Sequence, residues 1–255
     1  MSAERVAAPE TVAGWIRESD RVVVLTGAGI STESGIPDFR GPEGVWTRNP
    51  GAEARADISF YLADRAVRRE AWRSRAEHPG LRAEPNAGHR AIAELEARGH
   101  LSLLVTQNID GLHLRAGSSP ERTVEIHGSV REFVCLTCGE RGPMEVALER
   151  VRAGEEDPAC LVCGGILKSA TISFGQALAA RDLFRAQQAA DEADLFLAIG
   201  TSLTVYPVAE LPVRALRNRG RLVILNAEPT PLDGRAHAVL RGRLGEVLPA
   251  IVAAV

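Results

Sequence analysis

Lysine is all but missing from this chain. Lys168 is the only one, so every other member of its 30 basic residues is arginine. The protein thus offers little scope for modification on its own lysines. Its arginine and alanine richness points to a GC-rich coding sequence rather than to a mechanism. A charge excess is missing too, and a net charge of -3 gives no reason to expect a nucleic-acid or anionic-membrane partner. No apolar run is long enough to cross a bilayer. The N-terminal MSAERVAAPE lacks the charged-then-apolar layout of a secretory signal. A cytoplasmic location is the expectation. Repeats and low-complexity tracts are also absent. What remains is an ordinary globular composition, 45% hydrophobic and 25% charged over 255 residues. That length suits one substantial core with a small appended module.

Short runs rich in leucine and β-branched residues read as strands buried on both faces: Val22–Leu25, Leu101–Val105, Thr123–Ile126, Leu195–Ile199 and Leu222–Leu225. Helical patterns lie between them. Val12, Trp15 and Ile16 share one face, and Asn86 suits the N-cap of a helix that carries Ile92 and Leu95 and stops at Gly99. Residues 207–219 also read as helix, with Pro212 disturbing the interior. The alternation predicts an α/β fold, a doubly wound parallel (Rossmann-like) sheet with ligands at the carboxyl ends of its strands. Three loops belong there: Gly27–Gly41, Thr106–His113 and Gly200–Val205.

Two stretches break the pattern. The arginine-rich, helical-looking 41–83 and the cysteine-bearing 132–170 read as insertions that together form a smaller lobe. The Rossmann-like domain then comprises 1–40, 84–131 and 171–255. All four cysteines fall in the second insertion, as Cys135-Leu-Thr-Cys138 and Cys160-Leu-Val-Cys163, with 21 residues between the pairs. Each C-x-x-C knuckle can fill two corners of a tetrahedron, and a glycine follows each where the turn is tight. A cytoplasmic chain disfavours disulfides. The expectation is one structural zinc with no open position for chemistry.

The run GAGISTESGIPDFRG follows the first strand. A glycine turn there suits a phosphate-bearing ligand, yet Thr32 replaces the third glycine of the G-x-G-x-x-G fingerprint. A second loop, TQNIDGLH, puts an amide and a carboxylate at the end of another strand. In EIHGS, His127 stands at a strand exit, a candidate general base. His78, His89, His100, His113 and His237 are expected to be structural.

These segments, the paired knuckles and GTSL (Gly200–Leu203) occur in the order and spacing of the sirtuin family, which the chain resembles from about Val22 to the C-terminal LGEVLP. The resemblance implies NAD-dependent removal of acetyl groups, with other acyl groups open, from protein lysines, releasing nicotinamide and O-acyl-ADP-ribose. NAD is then a consumed co-substrate. The resemblance sets Gly27, Ala28, Gly29 and Ser31 at the pyrophosphate. Asp38 and Arg40 would order the loop around the cofactor. Phe39 would shield the cationic site from water and returning nicotinamide, and Trp46 would also contact the cofactor. Gln107, Asn108, Ile109 and Asp110 would hold the nicotinamide and its ribose, with Asn108 orienting the ribose or a water. Gly200, Thr201, Ser202, Asn226, Glu228 and Leu244 fall on the adenosine side. His127 would be the base acting on a ribose hydroxyl.

A peptide would lie between Phe174-Gly175-Gln176 and Val205-Tyr206-Pro207. The chain departs from the family at Gln176, usually acidic, and at Lys168-Ser169, usually an Arg-Pro pair. Relatives that prefer charged acyl chains carry Tyr-x-x-Arg where this chain has Trp72 and Arg75. The expectation is that Trp72 packs the lobe while Arg75, the one candidate contact for a charged acyl end, joins a solvated face with Arg65, Arg68 and Arg69. Acetyl should then be preferred to succinyl. The expected partners are acyl-lysine proteins or peptides, met by a monomer. Rival readings are transfer of ADP-ribose to protein from the same site and a non-catalytic NAD-sensing module. A classical dehydrogenase would need an acidic residue ~20 positions after the glycine turn, where this chain has its helical insertion.

Overall fold

A computed structural model describes residues 8–42, 44–49, 57–77 and 79–255; His78 lies outside them. In chain order the strands are β1 (Val22–Thr26), β2 (Leu103–Thr106), β3 (Thr123–Glu125), β4 (Gly128–Cys135) and β5 (Arg141–Pro143). After these come β6 (Leu167–Thr171), β7 (Leu195–Ile199), β8 (Arg221–Leu225) and β9 (Ala238–Leu240). Six of them form one sheet in the order β3-β2-β1-β7-β8-β9, with every neighbouring pair parallel. The predicted Rossmann-like sheet is therefore present. The first two strands begin or end within two residues of the predicted ranges. β9 is an addition: Ala238-Val239-Leu240 is too short to show a strand period in the sequence.

Period-2 alternation divides the strand side chains between two cores. Val22, Val24, Leu104, Leu197, Val223 and Leu225 face helices Pro9–Glu18, Ala87–Ala97 and Leu244–Ala253. Val23, Leu25, Val105, Phe196, Ala198 and Ile224 face helices Ala180–Glu192 and Leu211–Arg217. Because both faces are covered, the strands read as continuous apolar runs. Asn86 does cap its helix, accepting from Gly88 N and His89 N, a contribution of about 1 kcal/mol. The predicted helix over 207–219 is shorter and composite: a 3₁₀ turn over Val208–Glu210, then Leu211–Arg217. Pro212 is tolerated because it sits in the first turn.

The second sheet, β5-β4-β6, is antiparallel. Trp72, from helix Arg65–Ala76 of the first insertion, is fully buried against Met144, Leu148, Leu167 and the inner cysteines Cys135 and Cys160. Trp72 thus packs the lobe, as expected. Ion pairs join the two insertions at the surface: Arg65 and Arg68 reach Asp157, and Arg69 and Arg73 reach Glu156. No helix among the described residues is long and apolar enough to cross a membrane.

Candidate active site

β1 and β7 lie side by side but lead into opposite halves of the sheet, so the loops leaving their carboxyl ends face each other. This is the switch point at which open α/β sheets bind ligands. The two loops touch backbone to backbone. Gly27 N donates to Ile199 O at 3.0 Å and Gly29 N to Gly200 O at 2.9 Å. A Cβ on Gly27 would lie 2.7 Å from Gly200 O, and one on Gly200 would lie 2.6 Å from Ile30 N. The glycines therefore let two loops meet, and the amides of Gly27 and Gly29 are not free to face a pyrophosphate as expected. The absent third glycine has a local reason as well. The chain continues as 3₁₀ turns over Ala28–Ser34, where Thr32 Oγ1 donates to Gly29 O at 3.0 Å.

Above this junction opens a cavity of about 1850 Å³. Every candidate named above for cofactor, catalysis or substrate lines it, from Gly27 to Leu244 and from Phe174 to Arg75. A buried polar cluster forms its floor. Ser31 Oγ donates to Asp110 Oδ2 at 2.7 Å and accepts from Asn108 Nδ2 at 3.0 Å. Asp110 Oδ1 accepts from Leu112 N at 2.9 Å. Ser31 is thus tied to the Asn108–Asp110 loop rather than turned toward a phosphate. Beneath it His89 Nδ1 accepts a hydrogen bond from Asn86 N, so its Nε2–H faces Ser31 Oγ at 3.4 Å. Burial brings His89 down to about 4, against the pull of Asp110. His113 is buried beside it, Nε2 3.0 Å from Thr26 Oγ1, and burial holds it well below the usual histidine range. His89 and His113 support the floor of the cavity. Only tertiary contact reveals that, because each lies on a helix far from the glycine turn in sequence.

His127 is half-buried. Its Nδ1 lies 3.1 Å from Gln107 O, and a carbonyl only accepts, so Nδ1 carries the proton and Nε2 keeps its lone pair. Burial lowers its affinity for a second proton, with the Gln107 carbonyl opposing. Gln107 is fixed in turn, its Nε2 donating to Thr201 Oγ1 at 2.8 Å. The loop after the glycine turn is ordered by Asp38, whose Oδ1 accepts from Gly41 N at 3.0 Å. Phe39 stacks against Trp46, Arg40 lies over the same indole, and Trp46 reaches Phe174. On the far side, Asn226 Nδ2 donates to Glu228 O at 2.8 Å and Ser202 shares its hydroxyl with Thr204.

Phe174 and Tyr206 are exposed at the mouth. Two edge carbonyls are already used: Phe174 O accepts from Ile58 N and Val205 O from Ala209 N. Pairing with an extended peptide falls to the remaining backbone groups. Gln176 closes the Ser173–Gln176 turn, its Oε1 accepting from Ser173 N at 2.9 Å. Arg75 is not on the solvated face expected for it. It lies half-buried against the cavity, stacked on the Trp72 and Tyr61 rings and donating to Tyr61 Oη at 3.3 Å. The reason is Trp72: once that indole is buried, the side chain one turn on is drawn over it. Sequence reasoning missed Tyr61 and gave Lys168 no site role. Both line the cavity.

The four cysteine sulfurs lie within 4.8 Å of one another, two inner and two exposed. Cys135 Sγ is 3.6 Å from Cys163 Sγ, and Cys138 Sγ is 3.7 Å from Cys160 Sγ. Four thiolates ~2.3 Å from a tetrahedral zinc are ~3.8 Å apart, whereas a disulfide needs ~2 Å. The set fits one zinc and leaves no ligand position for water.

A family model described as "Sir2 family" matches residues 27–207. The chain belongs to the Sir2 family. It is 48% identical over 231 residues to "NAD-dependent protein deacetylase 2" of Streptomyces coelicolor, covering 91% of this chain and 96% of that one. Among solved structures, a Sir2 complex with a p53 peptide and NAD+ matches at TM-score 0.87 and 35% identity over 97% of this chain and 98% of the other. A Sir2 variant with a deacetylated p53 peptide and 3'-O-acetyl ADP ribose matches at TM-score 0.89 and 34% identity, with the same coverage of each. The glycine junction, the Asn108–Asp110 loop, His127 and all four cysteines fall inside the matched span of this Sir2-family chain.

Proposed function

We propose that this protein is an NAD-dependent protein-lysine deacetylase that consumes NAD and releases nicotinamide and O-acetyl-ADP-ribose. The observation that carries the reading is that His127 and the buried Ser31–Asn108–Asp110 cluster line one cavity. The cavity suits NAD and a peptide together: two glycine loops meet where a Cβ would clash, and polar atoms gather on one floor. NAD supplies an electrophilic ribose carbon when its nicotinamide leaves.

The chain's own groups do the rest. Asp110, held by Ser31 and Leu112 N, offers its carboxylate to the carboxamide. Asn108 orients the ribose. His127 takes a proton on Nε2, while Gln107 O fixes the tautomer through Nδ1 and stabilises the cation that forms. Phe39, braced by Trp46, excludes water. The four cysteines would hold zinc and so shape the small lobe, and the metal would supply no step.

On this reading the protein is a group transferase that acts as a cytoplasmic monomer on acyl-lysine proteins or peptides. The proposed NAD-binding domain is 1–40, 84–131 and 171–255, and 41–83 with 132–170 make the substrate-facing lobe. The test is an acetyl-lysine peptide incubated with protein and NAD. Deacetylated peptide and nicotinamide should appear in equal amounts. ADP-ribose found on protein in place of deacetylated peptide would favour the transferase alternative.

A further inference from the structure

We infer that Lys168 is a positioning residue for His127: a compact amine clamp at the β4–β6 junction. The inference rests on the deacetylase reading of the cavity. In a chain that otherwise uses arginine for every basic position, the one lysine is 2% exposed. Among the described residues its partners are not carboxylates. Its Nζ donates to Thr171 O at 2.6 Å, to Ser169 O at 3.3 Å and to Thr171 Oγ1 at 3.3 Å. Those acceptors belong to its own strand, so the side chain curls back along β6.

The reason lies in a bulge across the ladder. Thr171 pairs with Gly128 and Ala170 with Ser129, but Ser169 pairs with Phe133, so three β4 residues are extra. Bulges of this kind re-aim side chains beside active sites. Here they turn to the cavity floor: Val130 N donates to Ile109 O at 2.8 Å and Arg131 Nε donates to Asp110 O at 2.8 Å. The regular ladder is interrupted opposite Ser169, and Lys168 provides donors there. The next residue along, Ile172, donates its N–H to His127 O at 2.8 Å. Gly128, between His127 and the ladder, has φ +75, and a Cβ on it would lie 2.0 Å from Ala170 O. The backbone of His127 is therefore seated on residues 170–172, of which Lys168 holds Thr171 through its carbonyl and hydroxyl.

Arginine does not substitute here. Three acceptors around one point suit a small amine with rotatable N–H groups, whereas a guanidinium is planar, wider and spreads its donors in a fork. Burial and the nearby Arg75 guanidinium bring Lys168 down to about 7. The neutral amine still has two N–H groups for the two carbonyls, so the clamp survives loss of the charge.

The experiment compares wild type, Lys168→Met and Lys168→Arg in two assays with an acetyl-lysine peptide. One is deacetylation; the other is exchange of labelled nicotinamide into NAD, which needs both substrates bound but not the later proton transfer to His127. Both variants should lose deacetylation kcat by about tenfold or more, while exchange and the KM for NAD stay within about twofold. Deacetylation within twofold of wild type in a folded Lys168→Met protein would overturn the inference. An equal fall in both assays would overturn it too, since that marks a general folding role. If Lys168→Met does not fold, Lys168→Arg alone carries the comparison. Wild type labelled with 15N-lysine gives a single side-chain signal. Slow proton exchange at that amine is expected, and fast exchange would count against the clamp. Wild type inactive in both assays would instead reject the deacetylase reading.

Discussion

His127 Nδ1 and the carbonyl oxygen of Gln107 are 3.1 Å apart, and this one contact decides which nitrogen of the ring can act as a base. The carbonyl accepts, so the proton stays on Nδ1 and Nε2 is left with a lone pair. Gln107 is itself held by Thr201 across the sheet's switch point. The tautomer of the proposed base is therefore fixed by a residue tied to the same loop junction over which the cavity opens.

Replacing His127 with Ala should lower deacetylation by on the order of 10²–10⁴-fold while the protein stays folded and binds NAD. Steady-state kinetics with an acetyl-lysine peptide, beside calorimetric titration of NAD, would check it. Deacetylation retained to within a few-fold would sink the assignment. Because burial lowers the affinity of His127 for a second proton, activity should hold from neutral pH to below about pH 6.5 and fall only at more acid values.

Asp110 should matter for NAD more than for the peptide. Its two oxygens accept from Ser31 Oγ and Leu112 N, and Asn in its place would present an amide to one of those donors. Asp110→Asn is expected to raise the KM for NAD about tenfold, the cost of roughly one charged hydrogen bond. Unchanged NAD dependence would remove Asp110 from the site.

Loss of zinc should loosen both insertions, not the ribbon alone. Cys135 and Cys160 pack on Trp72, and the ion pairs to Asp157 and Glu156 link the same two segments. A double change of Cys135 and Cys138 to Ala should remove one equivalent of metal. Even ~3 kcal/mol of lost stability would lower Tm by roughly 6–12 °C in a chain of this size. Metal-free protein with wild-type Tm and activity would contradict a structural zinc.

Acetyl should be removed better than succinyl. Arg75 borders the cavity, but its guanidinium is engaged with Tyr61 Oη and two aromatic rings. Competition between acetyl and succinyl versions of one peptide gives the ratio of kcat/KM values. A succinyl preference that disappears in Arg75→Met would reverse the expectation.

Acid should destabilise the fold early. His89, His113 and His127 all bind a proton less readily when folded than when unfolded. Between about pH 6.5 and their folded values the unfolded chain holds more protons, so stability falls as pH falls. Glu125, which burial raises to about 7, acts in the opposite sense over about pH 4.5–7, as one group against three. Urea midpoints at several pH values would read the slope, and a midpoint that rises from about pH 6.5 to 5 would refute it.

The sequence alone determined the parallel sheet, because apolar runs of buried strands and capped amphipathic helices are local patterns, read within ten or so residues. It also determined the zinc site, since two knuckles confine four sulfurs whatever the rest of the chain does. The loops GAGIS, TQNID and EIHGS were legible for the same reason. Only the tertiary structure decided what those loops touch. The amides of Gly27 and Gly29 bond to β7 and the loop after it, and Ser31 faces Asp110, contacts made across more than 75 residues of chain. Arg75 moved from an expected surface face to the cavity because Trp72 is buried beneath it, a matter of packing between two insertions. Lys168 stood out in the sequence by being alone. Its bonds depend on a register shift between β4 and β6 that no periodicity records, because register is fixed by which strands meet and not by the strands themselves.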